Sequence, residues 1–280
     1  MTALDAKIAT LLDRLAALPS LAVAFSGGVD SALVLAAAVR SVGSGRVADR
    51  VLAVTAVSDS LAAEELDAAR RFALSLGVRH LLPGTAETAN PGYRANGRDR
   101  CYFCKSEVLD VIGRVAADHG FAHVATGTNA DDAADPFRPG IRAADERGVL
   151  APLRDAGLTK AEVRRACKAW DLTVWDKPAA PCLASRVAYG VEVTPARLHR
   201  VETAERAVRR LLAGAGLTVT DLRVRDLGDR ARVELDADLL PRASGLPGLV
   251  PAVREAGFHG AQVDVAVFRS GVLNIEPLRP

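Results

Sequence analysis

The chain has 280 residues, enough for one large domain or for a moderate domain with a smaller one. Its 49% hydrophobic and 25% charged content is that of a globular protein and excludes extensive disorder. The apolar runs fall short of the ~20 residues of a membrane span, no charged-then-apolar leader opens the chain, and a net charge of +2 is too small for a nucleic-acid surface. A soluble cytoplasmic protein with no membrane or nucleic-acid partner is therefore expected. Residues 4–18 predict an amphipathic helix with Leu4, Ile8, Leu11, Leu12 and Leu15 on one face. Residues 21–25 suit a strand buried on both faces, and residues 29–39, apolar almost all round, suit a helix packed on such a sheet.

Between these two lies Ser26-Gly27-Gly28-Val29-Asp30-Ser31. Glycines at a strand-to-helix turn let the backbone approach an anion, and the helix N–H groups and dipole can bind phosphate. Ser26 and Ser31 add hydroxyl donors, while Asp30 suits a phosphate site only if it helps to hold a cation. An isolated SGG could be no more than a glycine turn with a serine cap. The full string lacks the GK[ST] ending of a P-loop and is not GxGxxG. It resembles the PP-loop of ATP pyrophosphatases, which split ATP between its α and β phosphates and hand AMP to a substrate.

A second strand over 51–57, a helix over 62–76 closed by Gly77 and a short strand at 80–82 continue the alternation. The pattern predicts an α/β fold with a doubly wound parallel sheet. Ser58 falls just past the carboxyl end of the second strand, where ligands of such sheets bind, and His80 reads as structural. Residues 83–100 read as a long loop ending in Arg100-Cys101-Tyr102-Phe103-Cys104-Lys105, which opens a helix running to about His119. The helix dipole, Arg100 and Lys105 would favour thiolates at Cys101 and Cys104, but Cys-x-x-Cys alone does not separate zinc, iron–sulfur and redox uses.

A fourth strand, 123–126, runs into Gly127-Thr128-Asn129-Ala130-Asp131-Asp132 at the ligand edge. Gly127 and Asn129 are nucleotide-site candidates, and Asp131 and Asp132 read either as an Asx turn or as Mg²⁺ ligands. Residues 135–147 read as a loop with Arg138 as an anion candidate. Thr159-Lys160-Ala161-Glu162 is a capping box, and the helix it opens puts Cys167 on the buried face. In 175–186 two prolines hold the chain extended, so Cys182 is expected in a rigid loop made electropositive by Lys177 and Arg186.

SGGVDS, RCYFCK, GTNADD, RPG, LTKAEVR and KPAAPCLASRVAYG together resemble, in order and spacing over nearly the whole chain, the LarE family of sulfur transferases that mature a nickel-pincer nucleotide cofactor. The resemblance implies an adenine nucleotide α-hydrolase-like PP-loop domain and adenylation, by ATP with Mg²⁺, of the carboxylates of pyridinium dicarboxylate mononucleotide. These are then converted to thiocarboxylates. It implies catalytic positions at Asp30, Cys182, Ser185 and Arg186, and Cys101, Cys104 and Cys182 match the family's three-cysteine pattern for a [4Fe-4S] cluster. Three thiolates leave one iron open for sulfide, whereas four would close the cluster. The alternatives are Cys182 as a sacrificial sulfur donor, zinc at the same thiolates, a tRNA-thiolating PP-loop enzyme, and a non-enzymatic ATP- or metal-binding regulator that keeps the cradle without chemistry. Implied partners are a sulfide or cysteine desulfurase donor, a nickel-insertion enzyme downstream and further copies in a homo-oligomer.

The pattern changes near Gly190, which divides the chain into 1–188 and a smaller α+β domain, 189–280, expected with ferredoxin-like connections. Thr194-Pro195 starts a helix to about Ala213 with Leu198, Val201, Val208 and Leu212 as its apolar stripe. Glu205 falls inside that stripe, where a carboxylate is costly unless paired or bound to a cation, which makes it a site candidate. Strands at 222–227 and 231–235 put Arg223 and Arg225 on one face, with Glu234 on the second strand. A helix at 249–256, a strand at 262–268 and a turn at 269–271 finish the fold. Strands often pair Arg with Glu; the resemblance implies instead that Arg223 and Arg225 bind phosphate and that Glu205 and Glu234 bind metal. Arg269, on its turn, reads either as a further donor to substrate phosphate or as a merely exposed arginine.

Overall fold

The structure, a computed structural model, describes residues 2–134 and 139–269. In chain order the first elements are α1 (Ala3–Ala16), β1 (Leu21–Ala24), α2 (Val29–Val42), α3 (Val47–Arg50), β2 (Val51–Val54), α4 (Ala63–Ser75) and β3 (Arg79–Leu81). Next come α5 (Pro91–Arg94), α6 (Arg100–Asp118), β4 (His123–Ala125), α7 (Ala130–Ala134), α8 (Pro139–Asp145), α9 (Pro152–Asp155) and α10 (Lys160–Ala169). The chain divides into two units, Met1–Glu87 with Cys101–Ala180 and Thr88–Arg100 with Pro181–Pro280.

In the first unit four parallel strands lie in the order β3-β2-β1-β4. Successive strand side chains point to opposite faces, and both faces are buried. Leu21, Val23, Val51 and Ala53 join the core built with α1, α2 and α10, whereas Ala22, Leu52 and Val54 pack with Ile112 and Ala116 of α6 and with Phe121. Helices on both faces make the sheet doubly wound, as the apolar runs predict. Cys167 is fully buried in the first core, and burial pushes its thiol up to about 12. His80 is structural: its Nε2 lies 2.7 Å from the Thr55 hydroxyl and its ring stands edge-on to Phe25.

The capping box of α10 forms as expected, with the Thr159 hydroxyl and the Glu162 carboxylate exchanging bonds with each other's N–H groups at 3.3 and 2.9 Å. Glu162 also accepts two bonds from Lys7 Nζ of α1, at 2.8 and 2.9 Å. Lys7, followed by the Thr159 N–H, pulls the Glu162 carboxyl down to about 2. Its stabilising contribution is therefore complete above the ordinary carboxylate value of about 4.3 and is lost as the pH falls toward its folded value. Glu162→Gln is expected to lower stability at neutral pH and to flatten the acid limb between these values, as read from urea midpoints against pH.

Two stretches expected as loops contain helix. In 83–100 the Asn90 side chain caps α5 by accepting from Gly92 N–H at 2.9 Å, with Pro91 in the first turn, where its missing N–H is harmless. In 135–147, Pro139 likewise opens α8, whose Ala143 and Ala144 are buried. Arg138 lies outside the described residues.

The second unit contains α11 (Pro195–Gly214), β5 (Leu222–Asp226), β6 (Arg230–Leu235), α12 (Leu240–Ser244), α13 (Leu249–Glu255) and β7 (Gln262–Val267). β5 and β6 form the expected antiparallel hairpin. The connections are not ferredoxin-like: β7 returns through two helices to lie parallel and directly beside β6, whereas strand neighbours in that fold are antiparallel. The unit boundary also differs from the expected division at 188/189, because segment 88–100 is fastened to the second unit. Asn96 Nδ2 donates to the carbonyls of Ala188 and Val191, both at 2.8 Å, and Val193 N–H donates to Arg94 at 2.9 Å. Among the described residues no helix is long and apolar enough to cross a membrane.

Candidate functional site: a phosphate loop and an arginine-rich cluster

β1 ends and α2 begins across the phosphate-loop motif, so Ser26 to Ser31 stand at the carboxyl edge of the sheet. Gly27 has φ +72°, a left-handed conformation that favours glycine, and a side chain there would also press on Ala69 Cβ at 3.1 Å. Gly28 occupies the N-cap position of α2 and makes no side-chain cap. The Ser26 and Ser31 hydroxyls lie 3.1 Å apart, Ser26 N–H donates to Ser31 Oγ at 3.3 Å and Gly28 N–H points at Ser26 Oγ at 3.4 Å. Backbone N–H groups and two hydroxyls thus gather at one helix N-terminus.

Asp30 in the first turn of α2 is held from two sides. Its Oδ1 accepts from Asn129 Nδ2 at 3.2 Å, and its Oδ2 pairs with Lys160 Nζ. Gly127 makes this approach possible, since a Cβ there would stand 2.6 Å from Ser31 N and 2.9 Å from the Asp30 carbonyl carbon. Asn129 is almost fully buried, and its Oδ1 accepts from the N–H groups of Asp131 and Asp132 at 2.9 and 3.0 Å. Asp131 in turn accepts Lys160 N–H at 2.8 Å, and Asp132 accepts Asn129 N–H at 3.3 Å. The two aspartates are therefore engaged at helix starts. Among the described residues no three His, Cys, Asp or Glu side chains converge to hold a metal ion. Ser58 braces its loop: its hydroxyl meets that of Ser60 at 2.9 Å, and Ser60 donates to the buried Glu87 at 3.0 Å.

Cys101 and Cys104 lie near the start of α6, the first exposed and the second half-buried, and neither is in a disulfide. The Arg100 guanidinium donates to the carbonyl of Ala184 at 2.9 Å and to Asn96 Oδ1. Lys177 pairs with Glu65 at 2.7 Å and donates to the Gly27 carbonyl at 3.0 Å. Burial lowers the Lys105 ammonium, an effect opposed by the adjacent Cys104.

In the second unit Cys182 is exposed and caps the short 3₁₀ turn Leu183–Arg186. Arg186, nearly buried, holds that turn: it donates to the carbonyls of Pro181 and Cys182, to Ser185 Oγ at 3.1 Å and to Glu205 at 2.9 Å. Glu205 also accepts Val224 N–H at 3.1 Å, which explains a carboxylate on the packed face of α11. Arg225 is paired with Glu234 at 2.9 Å and donates to the Ser185 carbonyl at 3.0 Å. Both glutamates sequence reasoning assigned to metal are thus held by arginines. Arg223 differs: among the described residues no carboxylate lies in ion-pair range of it, and burial, then the charge of Arg186, lowers its pKa. Cys182, Ser185, Arg186, Glu205, Arg223, Arg225 and Glu234 gather around the β5–β6 hairpin, whereas Arg269 is exposed just past β7.

Sequence reasoning missed Lys160 and the true position of Lys177. The signal for Lys160 was a cation in the first turn of a helix, where the dipole disfavours it. Nothing local marks Lys177, whose partners are 112 and 150 residues away.

No protein-family model matches the chain. It is 40% identical over 274 residues to the uncharacterised protein slr1717 of Synechocystis sp., covering 97% of this chain and 98% of that one. It is 26% identical over 175 residues to the uncharacterised protein MJ0830 of Methanocaldococcus jannaschii, covering 62% and 66% of the two chains. Against the pyridinium-3,5-bisthiocarboxylic acid mononucleotide synthase of Lactiplantibacillus plantarum it is 33% identical over 282 residues, 98% of this chain and 96% of that enzyme. An identity of that extent, on a chain with this phosphate loop, means that the protein belongs to the LarE family of these synthases.

Proposed function

We propose that the chain is an ATP-dependent sulfurtransferase that inserts sulfur into pyridinium dicarboxylate mononucleotide. The observation that carries this reading is the cluster of Ser26, Gly28 and Ser31 at the N-terminus of α2, beside an Asp30 held by Lys160 and Asn129. The loop's N–H and hydroxyl donors hold the ATP phosphates. A substrate carboxylate attacks the α-phosphorus, the bond to pyrophosphate breaks, and an acyl-adenylate forms. No general base is needed, because the nucleophile is already an anion. Sulfide then attacks the acyl carbon and AMP leaves, giving the thiocarboxylate. Asp30 suits Mg²⁺, which takes one or two carboxylates and completes its shell with phosphate and water; there it would neutralise charge on the departing pyrophosphate. Arg223, held by Leu222 O at 2.7 Å and by no carboxylate among the described residues, suits the substrate phosphate, with Arg225 and Arg269 as further donors.

For the sulfur source, the donor set of Cys101, Cys104 and Cys182 suits a [4Fe-4S] cluster, which when bound would supply sulfide from its open iron. A second reading, in which Cys182 gives up its own sulfur, is favoured by its exposure. Upstream partners are then a sulfide or cysteine desulfurase donor and downstream a nickel-insertion enzyme, with the chain acting as a homo-oligomer.

The test is incubation of anaerobically purified protein with ATP, Mg²⁺ and the pyridinium dicarboxylate mononucleotide, with pyrophosphate and thiocarboxylate followed together. Substrate-dependent release of pyrophosphate with a thiocarboxylate product is expected; no dependence on the mononucleotide would overturn the reading. About four irons per chain, lost in Cys101→Ala, Cys104→Ala and Cys182→Ala, selects the cluster, and loss of sulfur mass from Cys182 selects the single-use donor.

A further inference from the structure

We propose that Lys177 is a positioning residue for nucleotide binding, holding the Gly27 carbonyl out of the phosphate loop so that the Gly28 N–H faces into it. This rests on the proposed ATP site. A trans peptide points its C=O and N–H in opposite directions, so whatever fixes the Gly27 carbonyl also fixes the Gly28 N–H. Lys177 Nζ accomplishes this with a bond of 3.0 Å to that carbonyl. On the other side of the same peptide, Gly28 N–H points at Ser26 Oγ, within the hydroxyl pair of the loop. Gly27 in a left-handed conformation has no side chain to brace it, so its peptide needs an outside hold. A carbonyl turned inward would present negative charge to phosphate and remove one donor.

The ammonium is itself fixed. Glu65, in the first turn of α4, pairs with it at 2.7 Å, and both side chains are largely buried, at 19% and 25% exposure. The backbone behind it is clamped by Arg164 of α10, which donates to the carbonyls of Trp175 and Lys177 at 2.8 Å each. Lys177 therefore reaches the loop from a rigid stem.

The test is calorimetric titration of Mg·ATP into the full chain well below its melting temperature, for wild type, Lys177→Met, Lys177→Arg and the double variant Lys177→Met/Glu65→Gln. The double variant leaves no unpaired carboxylate, so it reports on the loop even where Lys177→Met alone folds poorly. Affinity is expected to fall about tenfold in both Met variants, the weight of one hydrogen bond from a charged donor, and to recover largely in Lys177→Arg. A merely structural ion pair would lower the melting temperature and leave affinity unchanged. Wild-type affinity in the folded double variant overturns the role of Lys177 and leaves the ATP reading standing. A wild type that does not bind Mg·ATP overturns that reading and this proposal with it.

Discussion

Asp30→Asn is expected to lower substrate-dependent pyrophosphate release by about 10²–10³, the usual consequence of deleting one preorganised group that meets developing charge. The side chain is one atom different and keeps an oxygen to accept from Asn129 Nδ2, so the Gly127 approach and the loop itself should survive. What disappears is the negative charge. Lys160 loses its partner, and the proposed Mg²⁺ position loses the one carboxylate that the α2 first turn offers it. Mg²⁺ binds through few protein oxygens and several from phosphate and water, so the loss of one anionic ligand is felt strongly. Stopped assays of pyrophosphate with and without the mononucleotide, beside a melting curve, check it. A variant that melts like wild type and releases pyrophosphate at the wild-type rate would remove Asp30 from the mechanism.

Asp226→Asn should be the most damaging single change to stability. Its carboxylate is fully buried at the end of β5 and accepts from Arg197 at 2.9 and 3.0 Å, from Arg200 at 2.9 and 2.6 Å and from Gly228 N–H at 3.1 Å. Removing one member of a buried charged network leaves the others uncompensated, at roughly 3–5 kcal/mol. Arg197 and Arg200 are 28% and 22% exposed and can recover water in part, which places the expected loss at the lower end of that range. Both tryptophans, Trp170 and Trp175, belong to the first unit, so hydrogen exchange of the β5 and β6 amides is the measurement that isolates the effect. A loss below about 1 kcal/mol would mean that the network behaves as a surface pair.

Much of the site was legible because its signals are local. The phosphate-loop turn, the capping box of α10, the cap of α11 and the two faces of each buried strand are set by glycine dihedrals, hydrogen bonds spanning three residues and the period of two along a strand. The short helices α5 and α8 escaped because proline was read as a breaker where it sits harmlessly in a first turn. Residue type makes Asp131 and Asp132 metal candidates, and the resemblance makes Glu205 and Glu234 so. Neither signal reveals that the first two accept backbone N–H groups at helix starts and that the last two pair with arginines.

The sequence by itself determined the parallel α/β unit, the glycine turn between β1 and α2, the burial of Cys167, the β5–β6 hairpin and the family resemblance that the full-length identity bears out. Only the tertiary structure decided which charges meet. Lys160 and Asp30 are 130 residues apart, Lys177 and Gly27 are 150, and Arg186 and Glu205 are 19. Local propensity carries no information on such pairs, because an ammonium or guanidinium on a helix or loop has the same intrinsic preference whichever carboxylate it finally meets. The choice is made by packing, when strands stack in a fixed register and bring loops from distant segments to one edge of the sheet.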